Sequence, residues 1–137
     1  MLELYLSFLQ CSDYIDYSEH IGTNVSESVF NDFVNNQNNN HRTVLLKHEG
    51  KIVTSGTLFI EFKLTHNGCK CGHIENIFTS VEYRGQGLAK TVINKLIELA
   101  KEQKCYRVDI ICKEELMTYY QRLGFSCSEE HAMSIKF

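Results

Sequence analysis

Leu2, Leu4, Leu6 and Phe8 alternate with Glu3, Tyr5 and Ser7, the two-residue period of a strand with one buried face. Residues 11–38 are polar with scattered apolar anchors at Ile15, Ile21 and Val25. Ser26 and Ser28 then precede Val29, Phe30, Phe33 and Val34, a spacing that predicts a helix over 27–36. The run from Asn35 to Asn40, nearly all asparagine, reads as a loop. Thr43 to Lys47, a turn at His48-Glu49-Gly50, and Lys51 to Lys63 predict an antiparallel hairpin. Asn67-Gly68 predicts a second tight turn into a strand over 72–81. The strongest helical period spans 88–103. Ala89, Val92, Ile93, Leu96, Leu99 and Ala100 share one face, with Lys90, Lys95, Glu98 and Glu102 opposite. A strand over 105–112, a short helix over 114–123 and a final strand over 125–137 complete the expectation. Strands first, then β-α-β-α-β, describe one α/β domain over 1–137 with a mixed sheet and helices on its faces.

A chain of 137 residues can bury a real core without staples. Its net charge of −3 and isoelectric point near 6.1 complement neither nucleic acid nor an anionic membrane surface. No apolar stretch approaches a membrane span, and Met1-Leu2-Glu3-Leu4 lacks a basic region, so a cytoplasmic protein is expected. The six cysteines are then expected as free thiols, with Cys105 and Cys112 acting as small apolar residues. His66-x-x-Cys69-x-Cys71-x-His73 offers four zinc-capable side chains. It lacks the two-residue gap of a zinc knuckle, and strand alternation sends neighbours to opposite faces, so no metal is expected.

The chemistry concentrates where the apolar run Ile74 to Val81 stops and Arg84-Gly85-Gln86-Gly87 leads into the helix opening at Leu88. Glycine has no Cβ, so successive main-chain amides there can face one concavity that a bulky anion approaches closely. The helix behind adds unpaired first-turn amides and the positive end of its dipole. Strand, glycine turn and helix together predict a phosphate cradle. Dinucleotide and phosphate-loop folds both lose ground as its owner, because the third glycine of the first and the lysine with its Ser/Thr of the second are missing from the pattern.

Arg84-x-x-Gly87-x-Ala89 after a strand resembles the acetyl-CoA pyrophosphate motif of the GNAT acetyltransferase superfamily. The order strand, glycine turn, long helix, strand, short helix with a tyrosine, strand is similar to that family over 43–137. Five segments also resemble its glucosamine 6-phosphate N-acetyltransferase branch. They are Ile60 to His66, Gly72 to Ile77, Lys104 to Val108, Tyr119 to Phe125 and Ser128 to Met133. The first forty residues match poorly.

The resemblance implies an α/β (α+β) fold of GNAT type: a mixed, mostly antiparallel central sheet with helices on both faces. It implies direct transfer from acetyl-CoA, as co-substrate, to the 2-amino group of glucosamine 6-phosphate in a ternary complex. That step leads toward UDP-N-acetylglucosamine, and the site is completed across a homodimer. By position, Arg84, Gly85, Gln86, Gly87, Leu88, Ala89 and Lys90 would bind the pyrophosphate. Ile77, Phe78 and Thr79 would pair their main chain with the pantetheine arm. Tyr120 would donate to the coenzyme sulfur, with Gln121 and Arg122 beside the cofactor. Lys63, Leu64, Thr65 and His66, with Glu75 and Asn76, would line the sugar site. Tyr106 and Arg107 would face the sugar phosphate, with Glu130 and Lys136 helping. Tyr120, Glu75 and Asn76 would be the catalytic set, Glu75 taking an ammonium proton through water. The family's Glu-Asp pair is here Glu75-Asn76. Its acid near the end of the next strand is Ile111, and an amide-bearing position before the tyrosine is Leu116. Another small amine or peptide as acceptor, or a noncatalytic acetyl-CoA-binding module, are the alternatives.

Overall fold

The computed structural model describes residues 3–137. Its elements are β1 (Leu4–Phe8), α1 (Tyr14–Ile21), α2 (Glu27–Asn35), β2 (His41–His48), β3 (Lys51–Phe62) and β4 (Lys70–Thr79). Then come α3 (Leu88–Glu102), β5 (Arg107–Ile110) and α4 (Met117–Arg122). One five-stranded sheet runs in the order β1-β2-β3-β4-β5. The first three pairings are antiparallel; β4 and β5 pair in parallel, because α3 carries the chain back across the sheet before β5 begins.

Two cores explain the strand sequences. On one face Val44, Leu46, Val53, Leu58, Ile60 and Ile74 meet the apolar stripe of α3. On the other, Leu45 and Ile52 meet Leu9 and Phe30 beneath α1 and α2. Val44-Leu45-Leu46 is therefore a continuous apolar run rather than an alternating one, since both faces are covered. Each such leucine, fully buried, stabilises the fold by roughly 1.5–3 kcal/mol.

Ser26 caps α2 by accepting from the Val29 amide at 3.3 Å. The sequence reading missed α1, whose apolar positions are few and one of which, Ile15, stays exposed. What anchors α1 is polar: buried Asp13 receives Lys47 Nζ at 2.8 Å, and Asp16 accepts from the Ile52 amide at 3.0 Å.

Three expectations are corrected. The strand expected over 125–137 does not form; the tail has no partner strand among the described residues, and Met133, Ile135 and Phe137 stand exposed. The strand expected over 105–112 is only Arg107–Ile110, limited by the length over which β4 accepts it. The Asn67-Gly68 turn is a wider loop in which His66, Asn67 and Gly68 all take left-handed backbone, with φ of 52, 60 and 83°. The Leu2 end of the first expected strand lies outside the described residues.

Gly56 sits where β3, β4 and α3 converge. A Cβ there would lie 2.5 Å from Ile77 Cδ1, 2.9 Å from Val92 Cγ1 and 3.0 Å from Leu96 Cδ1. Gly56→Ala is expected to cost about 1–3 kcal/mol, as overpacking does, measured by chemical denaturation. An unchanged midpoint would show that this junction is looser than its geometry implies.

Candidate functional site

The register between β3 and β4 slips beside Gly56. Phe78 faces Ser55 and Glu75 faces Thr57, so Asn76 and Ile77 together oppose one residue. Such a bulge needs a backbone kink, and Asn76 supplies it with φ of 57°, a conformation asparagine tolerates better than most side chains. On its other edge β4 pairs with β5 only from Cys71 to Ile74. β5 ends at Ile110, so from Glu75 to Thr79 that edge of β4 has no strand partner among the described residues. Main-chain groups of Ile77, Phe78 and Thr79 are thus placed where an extended ligand could add to the sheet.

A histidine that sequence reasoning missed locks this region. His20, buried on α1, reaches Ser55 Oγ with Nε2 at 3.0 Å and Ser80 Oγ with Nδ1 at 2.7 Å. Its ring also meets Phe78 edge-on at 5.1 Å. Burial lowers its pKa from 6.5 to about 4, so the ring is neutral near pH 7. Unfolded, the same ring takes a proton near 6.5. Falling pH between 6.5 and about 4 therefore favours unfolding through this group, and above 6.5 its contribution is constant. The melting temperature is expected to drop by roughly 5–10 °C more across that window in the parent than in His20→Gln. Parallel curves for the two proteins would remove His20 as the cause.

After β4 the chain turns through Gly85 and Gly87, with φ of 77 and 76°, and enters α3. No protein atom lies within 4 Å of a Cβ built on either glycine, so the cradle's mouth is open. No side chain caps α3, which leaves its first amides available. Arg84 latches the turn to β4: its Nε donates to Thr79 O at 3.0 Å, and its guanidinium lies 5.9 Å from the Phe78 ring centre. Leu88 is buried in the core, so its main-chain amide is what it can offer. Gln86 and Lys90 are exposed, and Ala89 is half-buried.

Tyr120 projects from α4, only 9% exposed, between Tyr119 and Phe125 at ring distances of 5.1 and 5.9 Å. Burial, then the neighbouring Tyr119 and Cys112, push its pKa above 10, so the phenol keeps its proton at neutral pH. It lines a cavity of about 1220 Å³ running past Gln121, Cys112, Tyr106, Arg107 and Glu130. Arg122 is exposed outside it.

A second cavity, about 280 Å³, is lined by His73, Ile74, Glu75, Asn76, Asp109 and Ile111. The two share His73, Asp109 and Ile111, which places Glu75 and Tyr120 on contiguous space. Behind it runs a polar row. Lys63 Nζ and His73 Nε2 donate to Glu61 Oε1 at 3.4 and 2.9 Å, and His73 above all holds the Glu61 carboxyl below its usual range. Arg107 Nε donates to Asp109 Oδ2 at 3.1 Å and its guanidinium lies 5.1 Å from the Tyr106 ring centre; His66 stacks on that ring at 5.4 Å. Leu64, Thr65 and His66 are exposed on the loop, and neither they, Lys63 nor Lys136 line either cavity.

Glu61, His73 and Asp109 were not foreseen. A signal existed for Asp109: it stands two residues before Ile111, so it presents a carboxylate on the same side of β5 as the position where the family pattern carries an acid.

Known proteins share both sequence and shape with this chain. It is 39% identical over 80 residues to a glucosamine 6-phosphate N-acetyltransferase of Trypanosoma brucei brucei, covering 58% of this chain and 54% of that protein. It is 34% identical over 85 residues to that of Candida albicans, covering 62% and 57%. The chain thus spans about half the length of the curated relatives it matches. In shape it superposes on the crystal structure of glucosamine-6-phosphate N-acetyltransferase from Arabidopsis thaliana with a TM-score of 0.90 at 27% identity, covering 98% of this chain and 99% of that one. The family description Acetyltransferase (GNAT) family matches residues 5–125, which include the unpaired edge of β4, the glycine turn and Tyr120, and the chain belongs to that family.

Proposed function

We propose that this chain transfers the acetyl group of acetyl-CoA to the 2-amino group of glucosamine 6-phosphate, by direct attack in a ternary complex. The observation that carries this reading is the unpaired edge of β4 from Glu75 to Thr79, which leads through Ser80 toward the open glycine turn. That pairing accommodates a diphosphate joined to an extended arm. The turn Arg84 to Lys90 would take the diphosphate on its amides. Ile77 to Thr79 would pair with the arm and bring its thioester between Glu75 and Tyr120.

The chemistry then follows from the residues. Glu75 removes an ammonium proton through water, and the free amine nitrogen attacks the thioester carbonyl carbon. A main-chain amide exposed at the Asn76–Ile77 bulge stabilises the oxyanion of the tetrahedral intermediate. The carbon–sulfur bond breaks, the attacking nitrogen gives up its second proton to water, the thiolate takes the Tyr120 proton, and the phenol is reprotonated from solvent. Much of the acceleration comes from holding the two substrates in line. With Asn76 and Ile111 uncharged, Glu75 and Asp109 keep the smaller cavity acidic, which suits a cationic amine. Arg107, which lines the larger cavity, supplies charge for the sugar phosphate.

A homodimer fits the exposed apolar tail and the unpaired outer edge of β5, each of which offers strand surface that a second copy can cover. Sedimentation should give twice the chain mass; a monomer at micromolar concentration would contradict the dimer. Six free cysteines suit a reducing cytoplasm. The activity is tested by mass spectrometry of reactions with acetyl-CoA and glucosamine 6-phosphate, spermidine or a lysine peptide. One acetyl group on the sugar phosphate, with one free thiol released per product, is expected. Product with spermidine or peptide alone would overturn the acceptor, and none with any would leave only a binding module.

A further inference from the structure

The polar row along β4 and β5 contains a constellation of which the proposed acetyl transfer uses only the charge of Asp109. Cys71 and His73 are two residues apart on β4 and so share a face, and the parallel register sets His73 against Asp109 on β5. Cys71 Sγ, a ring nitrogen of His73 and a carboxylate oxygen of Asp109 all lie within 4.8 Å of one another. We propose that these three side chains form a binding site for a zinc-like divalent transition-metal ion. The site shares Asp109 with the proposed acceptor cavity, but its test does not depend on the transferase reaction.

Three features point this way. First, the donors form a sulfur, nitrogen and oxygen set of the kind that binds zinc tetrahedrally. Cys71 Sγ and Asp109 Oδ2 are 3.5 Å apart, the separation that zinc bonds of about 2.3 and 2.0 Å at the tetrahedral angle would impose. Second, His73 has an outer partner. Its Nε2–H donates to Glu61 Oε1 at 2.9 Å, which fixes the ring and leaves Nδ1 as the ligating nitrogen, the carboxylate–histidine–metal arrangement. Third, His73 and Asp109 line the cavity of about 280 Å³, which has room for water at a fourth position. The expectation of no metal treated His66, Cys69, Cys71 and His73 as one run. The fold leaves His66 in the loop and brings Asp109 to the same-face pair from 36 residues beyond His73 in sequence.

Arg107 is the competitor. Its Nε holds Asp109 Oδ2 at 3.1 Å, and a cation must share that carboxylate or displace the guanidinium. Arg107 is exposed, so it can swing into water without burying an unpaired charge. Removing it takes away a positive charge near the site and should tighten metal binding about tenfold or more.

The test uses the full chain, free of any metal-binding tag and stripped by chelator, titrated with Co²⁺ as the probe. One equivalent should bind with a near-ultraviolet thiolate-to-cobalt charge-transfer band that added Zn²⁺ bleaches. Cys71→Ser should abolish the band, and His73→Gln should weaken binding at least about 100-fold. Glu61→Gln should weaken it about tenfold, as loss of an outer-shell partner does. Cys69→Ser should leave the band intact. Absence of the band in both the parent and Arg107→Gln would overturn the site, as would a band that survives Cys71→Ser. Arg107→Gln alters only an exposed position, so the result does not depend on whether the buried variants fold.

Discussion

Gly87→Val is expected to weaken coenzyme A binding at least about 100-fold by titration calorimetry, a loss of about 2.7 kcal/mol. The native φ of 76° is left-handed, which costs a side-chain-bearing residue about 1–2 kcal/mol. No protein atom stands within 4 Å of the added Cβ, so the fold itself should survive with only that penalty. The larger loss falls on the ligand. Valine methyl groups would project where the diphosphate must approach, and relaxation of the turn would re-aim the amides of Gly87, Leu88 and Ala89. Unchanged affinity in a folded variant would show that the diphosphate binds elsewhere.

Tyr120→Phe should lower kcat roughly 100-fold, the lower end of what a positioned general acid contributes. The dissociation constant for acetyl-CoA should move less than about threefold, because phenylalanine keeps the ring that packs against Tyr119 and Phe125. Burial leaves no ambiguity about protonation: a phenol whose pKa lies above 10 still holds its proton at pH 7–9. Loss of kcat without loss of affinity marks an interaction made only in the transition state. Equal turnover by the two proteins would take Tyr120 out of the reaction and return it to the core.

Much of this architecture was legible in the chain because its signals are local. The stripe from Ala89 to Ala100, the serine cap before α2 and the paired glycines before α3 each declare themselves within one or two turns of backbone. What stayed hidden depends on distant partners. α1 is held by Asp13 and Asp16 reaching β2 and β3, an arrangement no hydrophobic period reports. The tail from 125 to 137 reads as a strand, yet a strand needs a neighbour, and the described residues offer it none. The bulge at Asn76–Ile77 exists because β3 places Gly56 opposite, and His20 acts on it from a helix that the pattern did not reveal. The neighbours of the acceptor cavity were hidden for the same reason. Asp109 and His73 become neighbours only through the parallel pairing of β4 with β5.

The most direct measurement is the ratio of kcat/KM for glucosamine 6-phosphate to that for unphosphorylated glucosamine, followed by thiol release from acetyl-CoA. The Arg107 fork acting on a phosphate predicts a ratio of about 100 or more, the worth of two or so charge-assisted hydrogen bonds. A ratio near one would contradict the phosphate site and, with it, the assignment of the sugar phosphate as acceptor.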